Sequence, residues 1–247
     1  MTRDRFAAIV EATPALPDRG PVSSPALVRV DLNEQAYQWV RDRLLARRFR
    51  PGEKLVLQAL ADELGVSRSP VHHALTRLVS EGLVTTSRAR GYCVRPLTPK
   101  LMRETHDARA ALEVYAVEAT VGRVGPDART ALRRALERTI EPVRDRKLVD
   151  KLAYLRANEA FHQLIVDLPG NSVVSEMYRR LNAHRLMERA YLSLDVSAAG
   201  NSSAEHTEIV EAIEVGELDR ARAAVRANAE TGKRLATAAI ELAGGVL

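Results

Sequence analysis

The chain has 247 residues, 46% of them hydrophobic and 28% charged, with 37 Lys and Arg against 32 Asp and Glu. That is a globular composition, and the length suits two domains. The single cysteine, Cys93, excludes an intramolecular disulfide and fits a reducing compartment. No apolar run approaches the ~18 residues a membrane span needs, and Phe6 to Val10 is too short for a signal-peptide core. A cytoplasmic protein with no membrane partner is expected. The basic excess is confined to residues 1–95, with 15 basic against 10 acidic side chains, while residues 96–247 carry 22 of each. A phosphate-binding module joined to a neutral domain would show this asymmetry.

Residues 1–30 contain Pro14, Pro17, Pro21 and Pro25 with scattered serine and little periodicity, which predicts a flexible tail. Asp31 to Phe49 reads as a helix with Ala36, Trp39, Val40 and Leu44 on its apolar side and Arg41, Arg47 and Arg48 on its polar side. Arg50-Pro51-Gly52 ends it. Gln58 to Val84 then reads as two short helices and a tight turn. Ala59, Leu60, Ala61 and Leu64 form the first apolar face, and Gly65 supplies the left-handed helix end. Val66 is expected as a buried plug, Ser67 or Ser69 as a cap, and Pro70 as an early-helix proline. Val71, Ala74, Leu75 and Leu78 form the second stripe. Opposite that stripe lie Arg68, Ser69, His72, His73 and Thr76, with Gln58 and Ser67 flanking them. This is the arrangement of a helix-turn-helix, whose second helix enters the major groove of double-stranded DNA. Val84-Thr85-Thr86 and Tyr92-Cys93-Val94 predict a small β-hairpin wing around the basic tip Arg88-Ala89-Arg90-Gly91. Arg88 and Arg90 are placed to reach phosphates or a minor groove. The winged helix spans residues 31–95.

The sequence from Arg50-Pro51-Gly52 through Leu55, then LADELGVSRSPV and the following AL..L..EGLV, resembles the winged-helix domain of the GntR family of bacterial transcription regulators. The resemblance implies that Arg68 reads guanine, because arginine pairs bidentately with that base. Where the family usually carries arginine this chain has His72, and where it often carries an acid it has His73. The operator is therefore expected to differ at the base that His72 meets.

Pro96 to Pro99 reads as a stiff linker, and residues 100–247 as an all-α antiparallel bundle. Helices are expected over Lys100–Val124, Asp127–Arg144, Val149–Leu168, Ser172–Leu194, Ser203–Val215 and Leu218–Leu242, with breaks at Gly125-Pro126, Pro142, Pro169-Gly170-Asn171, Ala198-Ala199-Gly200 and Gly216. The fold class is thus mainly α. Asn158 and His162 stand four apart and share a helix face. With His206, Asn228 and Arg109 they could line a pocket suited to a divalent metal, a small carboxylate, or both. His106 and His184 are further candidates, expected at the surface.

This second half resembles the FCD effector domain of the FadR-type branch of the same family, through Asp-Ala-Arg-x-x-Leu-Glu (107–113), Asn-x-x-Phe-His (158–162), Pro-Gly-Asn (169–171) and Glu-His-x-x-Ile-x-x-Ala-Ile (205–213). The resemblance implies a homodimer on a palindromic operator and a small-molecule effector, a carboxylate from a catabolic pathway, with repression relieved by ligand as the commoner mode. It also implies Zn²⁺ or Ni²⁺ ligands at Asn158, His162, His206 and Asn228. Two of these four are asparagine, a poorer ligand than carboxylate or imidazole. Two other functions stay open. One is a metal-dependent hydrolase with His162 and His206 as ligands and Glu205 or Glu159 as base. The other is a nonspecific architectural DNA binder.

Overall fold

The computed structural model describes residues 31–144, 147–191 and 199–247. The expected tail over 1–30 lies outside the described residues. Leu32–Leu247 form one compact unit.

Helices α1 (Leu32–Leu45), α2 (Leu57–Leu64) and α3 (Arg68–Ser80) and strands β1 (Val84–Ser87) and β2 (Gly91–Val94) make the first half. The predicted apolar stripes meet in one core, except for Ala59, which is exposed: Ala36, Val40 and Leu44 of α1, Leu60 and Ala61 of α2 with Leu64 packed against them, and Val71, Ala74, Leu75 and Leu78 of α3. Tyr37 is buried there, while Trp39 only packs against the edge beneath the guanidinium of Arg43, 3.7 Å from the ring centre. Gly65 ends α2 with φ 66° and ψ 32°, the left-handed conformation that costs glycine nothing. Ser67 takes the N-cap position of α3 without a side-chain cap bond, and Val66 is half-buried, packed against the core. The wing pairs antiparallel, Val84 with Val94 and Thr86 with Tyr92. Residues 52–55 lie along its other edge through Gly52 N→Val94 O at 3.0 Å and Leu55 N→Tyr92 O at 2.9 Å.

The second half contains α4 (Pro99–Thr120), α5 (Pro126–Ile140), β3 (Val143–Arg144), β4 (Lys147–Leu148), α6 (Lys151–Asp167), α7 (Ser172–Leu181), α8 (Ala183–Tyr191), α9 (Ala199–Val215) and α10 (Leu218–Leu242). α4 packs along α10, α10 along α9, and α5 against α6 and α9. Ala116, Leu132, Phe161, Ile165, Ile209, Ile213 and Val225 centre the core. No helix among the described residues is long and apolar enough to cross a membrane.

Three expectations need correcting. The helix expected to reach Arg144 ends at Ile140, and Val143–Arg144 instead pairs with Lys147–Leu148; Pro142 cannot donate the bond a continuing helix needs. The helix expected over Ser172–Leu194 breaks at Asn182, which adopts φ 52° and ψ 27°, a conformation asparagine tolerates. Its side-chain amide donates to Ser80 O of α3 at 2.9 Å, so a tertiary contact sets this break; residues 192–194 lie outside the described set. α9 begins at Ala199, absorbing two of the three residues read as a break.

The linker is also built into the core. Leu97 is fully buried and exchanges backbone bonds with Leu247, at 2.8 and 3.0 Å.

Candidate functional site

The first candidate surface is the outer face of α3 with the wing. Packing α3 through Val71, Ala74, Leu75 and Leu78 leaves Gln58, Ser67, Arg68, Ser69, His72, His73 and Thr76 exposed, together with Arg88 and Arg90 at the wing tip. Among the described residues, the side chains of Arg68, Arg88 and Arg90 make no ion pair. Gln58 is turned along its own helix to Asp62 at 2.7 Å. Tyr92 joins the wing to the helix: its hydroxyl lies 3.2 Å from Thr76 Oγ1, and its ring meets His72 edge-on at 6.0 Å. Sequence reasoning assigned Tyr92 only to a strand, although its place between two candidate DNA-contacting elements was readable. Arg77, on the same helix, belongs elsewhere: it stacks on Tyr37 at 3.5 Å and pairs with Glu34 at 2.7 Å.

The second site is a buried polar cluster in the bundle. Arg109, Asn158, His162, His206 and Asn228 are all buried there. Arg109 Nε donates to Glu113 Oε1 at 2.6 Å, an i,i+4 pair on one helix face. Its Nη2 reaches both His162 Nε2 at 2.7 Å and Asn228 Oδ1 at 3.0 Å. Because a guanidinium only donates, His162 Nε2 must accept, which puts the ring proton on Nδ1, 3.3 Å from Glu113 Oε1. The hydroxyl of Tyr178 donates to the same carboxylate oxygen at 2.6 Å and lies 3.0 Å from His184 Nε2. Asn158 Nδ2 lies 3.2 Å from His184 Nδ1. Asn228 Nδ2 donates to Glu205 at 3.0 Å, and Thr231 donates to the other oxygen of Glu205 at 2.6 Å. A cation at its oxygen and a carboxylate at its nitrogen both fix the orientation of Asn228.

Burial shapes the charges. Arg109, with Glu113 and Tyr178 beside it, stays firmly protonated despite its desolvation. The Arg109 guanidinium overcomes the burial of Glu113 and holds its carboxyl well below the usual range. Burial lowers His162, lowers His184 and His206 well below their ordinary value, and takes His106 down to about 3. The cluster is therefore one buried ion pair surrounded by neutral imidazoles and amides.

His106 and His184, expected at the surface, are 1% and 7% exposed. Helix angle alone missed them because α10 covers the face of α4 that carries His106, and α8 turns His184 inward onto α6. Of the neighbouring residues, Asp107 turns outward to Lys233 at 3.0 Å. Glu113 and Tyr178 are cluster members that sequence reasoning did not assign, and His184, a further candidate expected at the surface, also belongs to the cluster. Glu113 was signalled by its place four residues after Arg109; Tyr178 carried no comparable signal. His106 packs against Gly232 of α10, where an added Cβ would lie 2.8 Å from His106 Cε1. Gly232→Ala is therefore expected to destabilise the bundle by ~1–2 kcal/mol, the overpacking outweighing alanine's better helix propensity. A urea midpoint above the parent's would show that the ring has room to move.

As a metal centre the arrangement is incomplete. Among the described residues no group of three or more His, Cys, Asp or Glu is placed to hold a metal ion. His206 Nδ1 lies 3.3 Å from Thr139 Oγ1, and its Nε2 is buried without a partner among the described residues.

α8 touches both the buried cluster and the winged helix, away from the outer face of α3. On one side His184 joins the cluster, and Met187 Sδ lies 3.9 Å from Arg109 Nη1. On the other, Glu188 pairs with Arg41 of α1 at 2.6 Å and Arg189 donates to Arg95 O.

Comparison with known proteins identifies both halves of the chain. The FCD domain model matches residues 104–231, and the model of bacterial regulatory proteins of the gntR family matches residues 32–94. The HTH-type transcriptional regulator YdhC of Bacillus subtilis is 29% identical over 148 residues, 60% of this chain and 65% of its own length, so the match spans just under two thirds of that relative. An HTH-type transcriptional regulator from an unstable DNA locus of Streptomyces ambofaciens is 31% identical over 193 residues, 77% of this chain and 78% of its own. The solved structure of E. coli McbR/YncC superposes with a TM-score of 0.62 at 20% identity, covering 83% of this chain and 96% of that one.

Proposed function

The chain belongs to the gntR family of bacterial regulatory proteins, with an FCD domain behind its winged helix, and from that premise we propose that it is a cytoplasmic transcription regulator, a homodimer that represses from a palindromic operator until a small organic acid enters the bundle. The observation that carries this reading is α8, which packs its His184 and Met187 against the buried cluster and its Glu188 and Arg189 against the winged helix. A ligand that rearranges the Arg109 cluster must move α8 or strain it, and α8 holds α1 and the end of the wing. Differential binding of the ligand to the two placements then changes operator affinity.

In this reading Arg68, Ser69, His72, His73 and Thr76 face base edges, Gln58 and Ser67 lie beside the backbone, and Arg88 and Arg90 reach phosphates or the minor groove. Arg109, Asn158, His162, His206 and Asn228 receive the effector, a carboxylate being matched to the guanidinium.

The test is selection of duplexes from a random pool, followed by fluorescence anisotropy. Arg68→Ala is expected to weaken the selected site by about 10- to 100-fold and to relax preference at one base pair per half-site. Arg88→Ala should weaken all duplexes alike and lower the salt slope by about one. Equal binding to every duplex would sink the reading in favour of an architectural protein. Turnover of an ester, phosphate or amide that His162→Ala abolishes would favour the hydrolase.

A further inference from the structure

Two of the four positions that resemble a metal site already have a lone pair engaged. These, His162 Nε2 and Asn228 Oδ1, are directed at the same atom, Arg109 Nη2, at 2.7 and 3.0 Å. A third, Asn158, turns its amide nitrogen to His184, a contact that does not use the Oδ1 lone pairs. The fourth, His206, keeps a buried Nε2 without a partner among the described residues, as do both ring nitrogens of His106. The guanidinium is not a loose occupant. It is 1% exposed, Glu113 holds its Nε at 2.6 Å, and Tyr178 braces that carboxylate. A divalent ion at this point would need the imidazole lone pair that Arg109 already uses, and would face a guanidinium that does not deprotonate.

We propose that Arg109 holds the cation place of this pocket, so that the pocket works without a divalent metal. The charge that a metal would present to an anionic ligand comes instead from a guanidinium anchored by Glu113. The inference rests on the effector-pocket reading above and narrows it: the ligand is met by hydrogen-bond donors, with no inner-sphere coordination.

The full chain carrying His72→Ala and His73→Ala, which removes the adjacent exposed imidazoles, would be incubated with Zn²⁺ or Ni²⁺ and freed of excess ion by gel filtration. Elemental analysis is expected to find no equimolar metal, and EDTA is expected to leave the melting temperature unchanged. Adding Arg109→Met, Glu113→Gln and Asn228→His removes the ion pair as a unit and supplies a third imidazole. That protein is expected to retain equimolar metal and to melt higher with it. Equimolar metal on the first protein, lost with His162→Ala or His206→Ala, would overturn the inference. So would a folded second variant that takes no metal, since the exclusion would then not lie with Arg109. If the second variant does not fold, the first protein's metal content decides. Operator binding by the wild-type chain keeps the two readings apart: metal retention beside intact operator binding overturns this inference alone.

Discussion

Arg109→Ala is expected to destabilise the bundle by about 3–5 kcal/mol, a large fraction of the stability of a domain this size. The effect comes from what is left behind. Glu113 is fully buried, and its Oε1 takes donors from Arg109 and Tyr178, at 2.6 Å each, with His162 Nδ1 at 3.3 Å. Without the guanidinium a carboxylate remains in the core with one hydroxyl and a neutral imidazole. His162 Nε2 and Asn228 Oδ1 lose their donor as well. The pair as a whole contributes far less, because its Coulomb attraction is largely offset by the desolvation of two charges. The double replacement Arg109→Met with Glu113→Leu should therefore be much closer to the parent than either single change. Chemical denaturation followed by circular dichroism measures all of these. An Arg109→Ala protein within about 1 kcal/mol of the parent would show that Glu113 is solvated or protonated in the native state, contrary to the geometry.

Stability is expected to fall steeply as pH drops from about 6.5 towards 5. Burial lowers His184 and His206 well below their ordinary value and His106 to about 3. Around His106 the charges of Arg109 and Lys233 act in the same direction, and Glu113 opposes them. A histidine whose folded pKa lies below its unfolded value of about 6.5 contributes stability that is complete above that pH and is lost as pH falls towards the folded value. Three such groups give a limiting slope of about 4 kcal/mol per pH unit. His162 is also lowered but Glu113 resists the shift, so it is not counted. Glu113 itself, with its carboxyl held low, loses its contribution only below about pH 4.3, outside this window. Urea midpoints measured from pH 7 to pH 5 check the slope, and His106→Leu should reduce it by about one proton. A flat profile over that range would mean that the imidazoles already carry protons in the folded state.

Much of this architecture is local and was legible in the residues themselves. Gly65 ends α2 where a left-handed residue was expected, Asn171 caps α7 by accepting from the N–H groups of Val173 and Val174, and α10 runs from Leu218 to Leu242 as its periodicity predicts. Each depends on backbone geometry or on a 3.6-residue stripe, which neighbouring residues in the chain determine together. The exposed face of α3 follows from the same stripe.

The inner site was legible only in part. Spacing put Asn158 and His162 on one face, and the gathering of Arg109, His206 and Asn228 with them was anticipated. Which lone pair meets which proton could not be read, because those partners stand 53 and 119 residues from Arg109 in sequence. The burial of His106 and His184 depends on which helix lies over them, and the break at Asn182 on a bond to Ser80 across to α3. The sequence by itself determined the helices, their apolar faces and the winged-helix surface, since those are short-range consequences of backbone and periodicity. Only the tertiary structure decided that this guanidinium takes the lone pairs of His162 and Asn228, because hydrogen-bond partnership in a core depends on packing between helices distant in sequence.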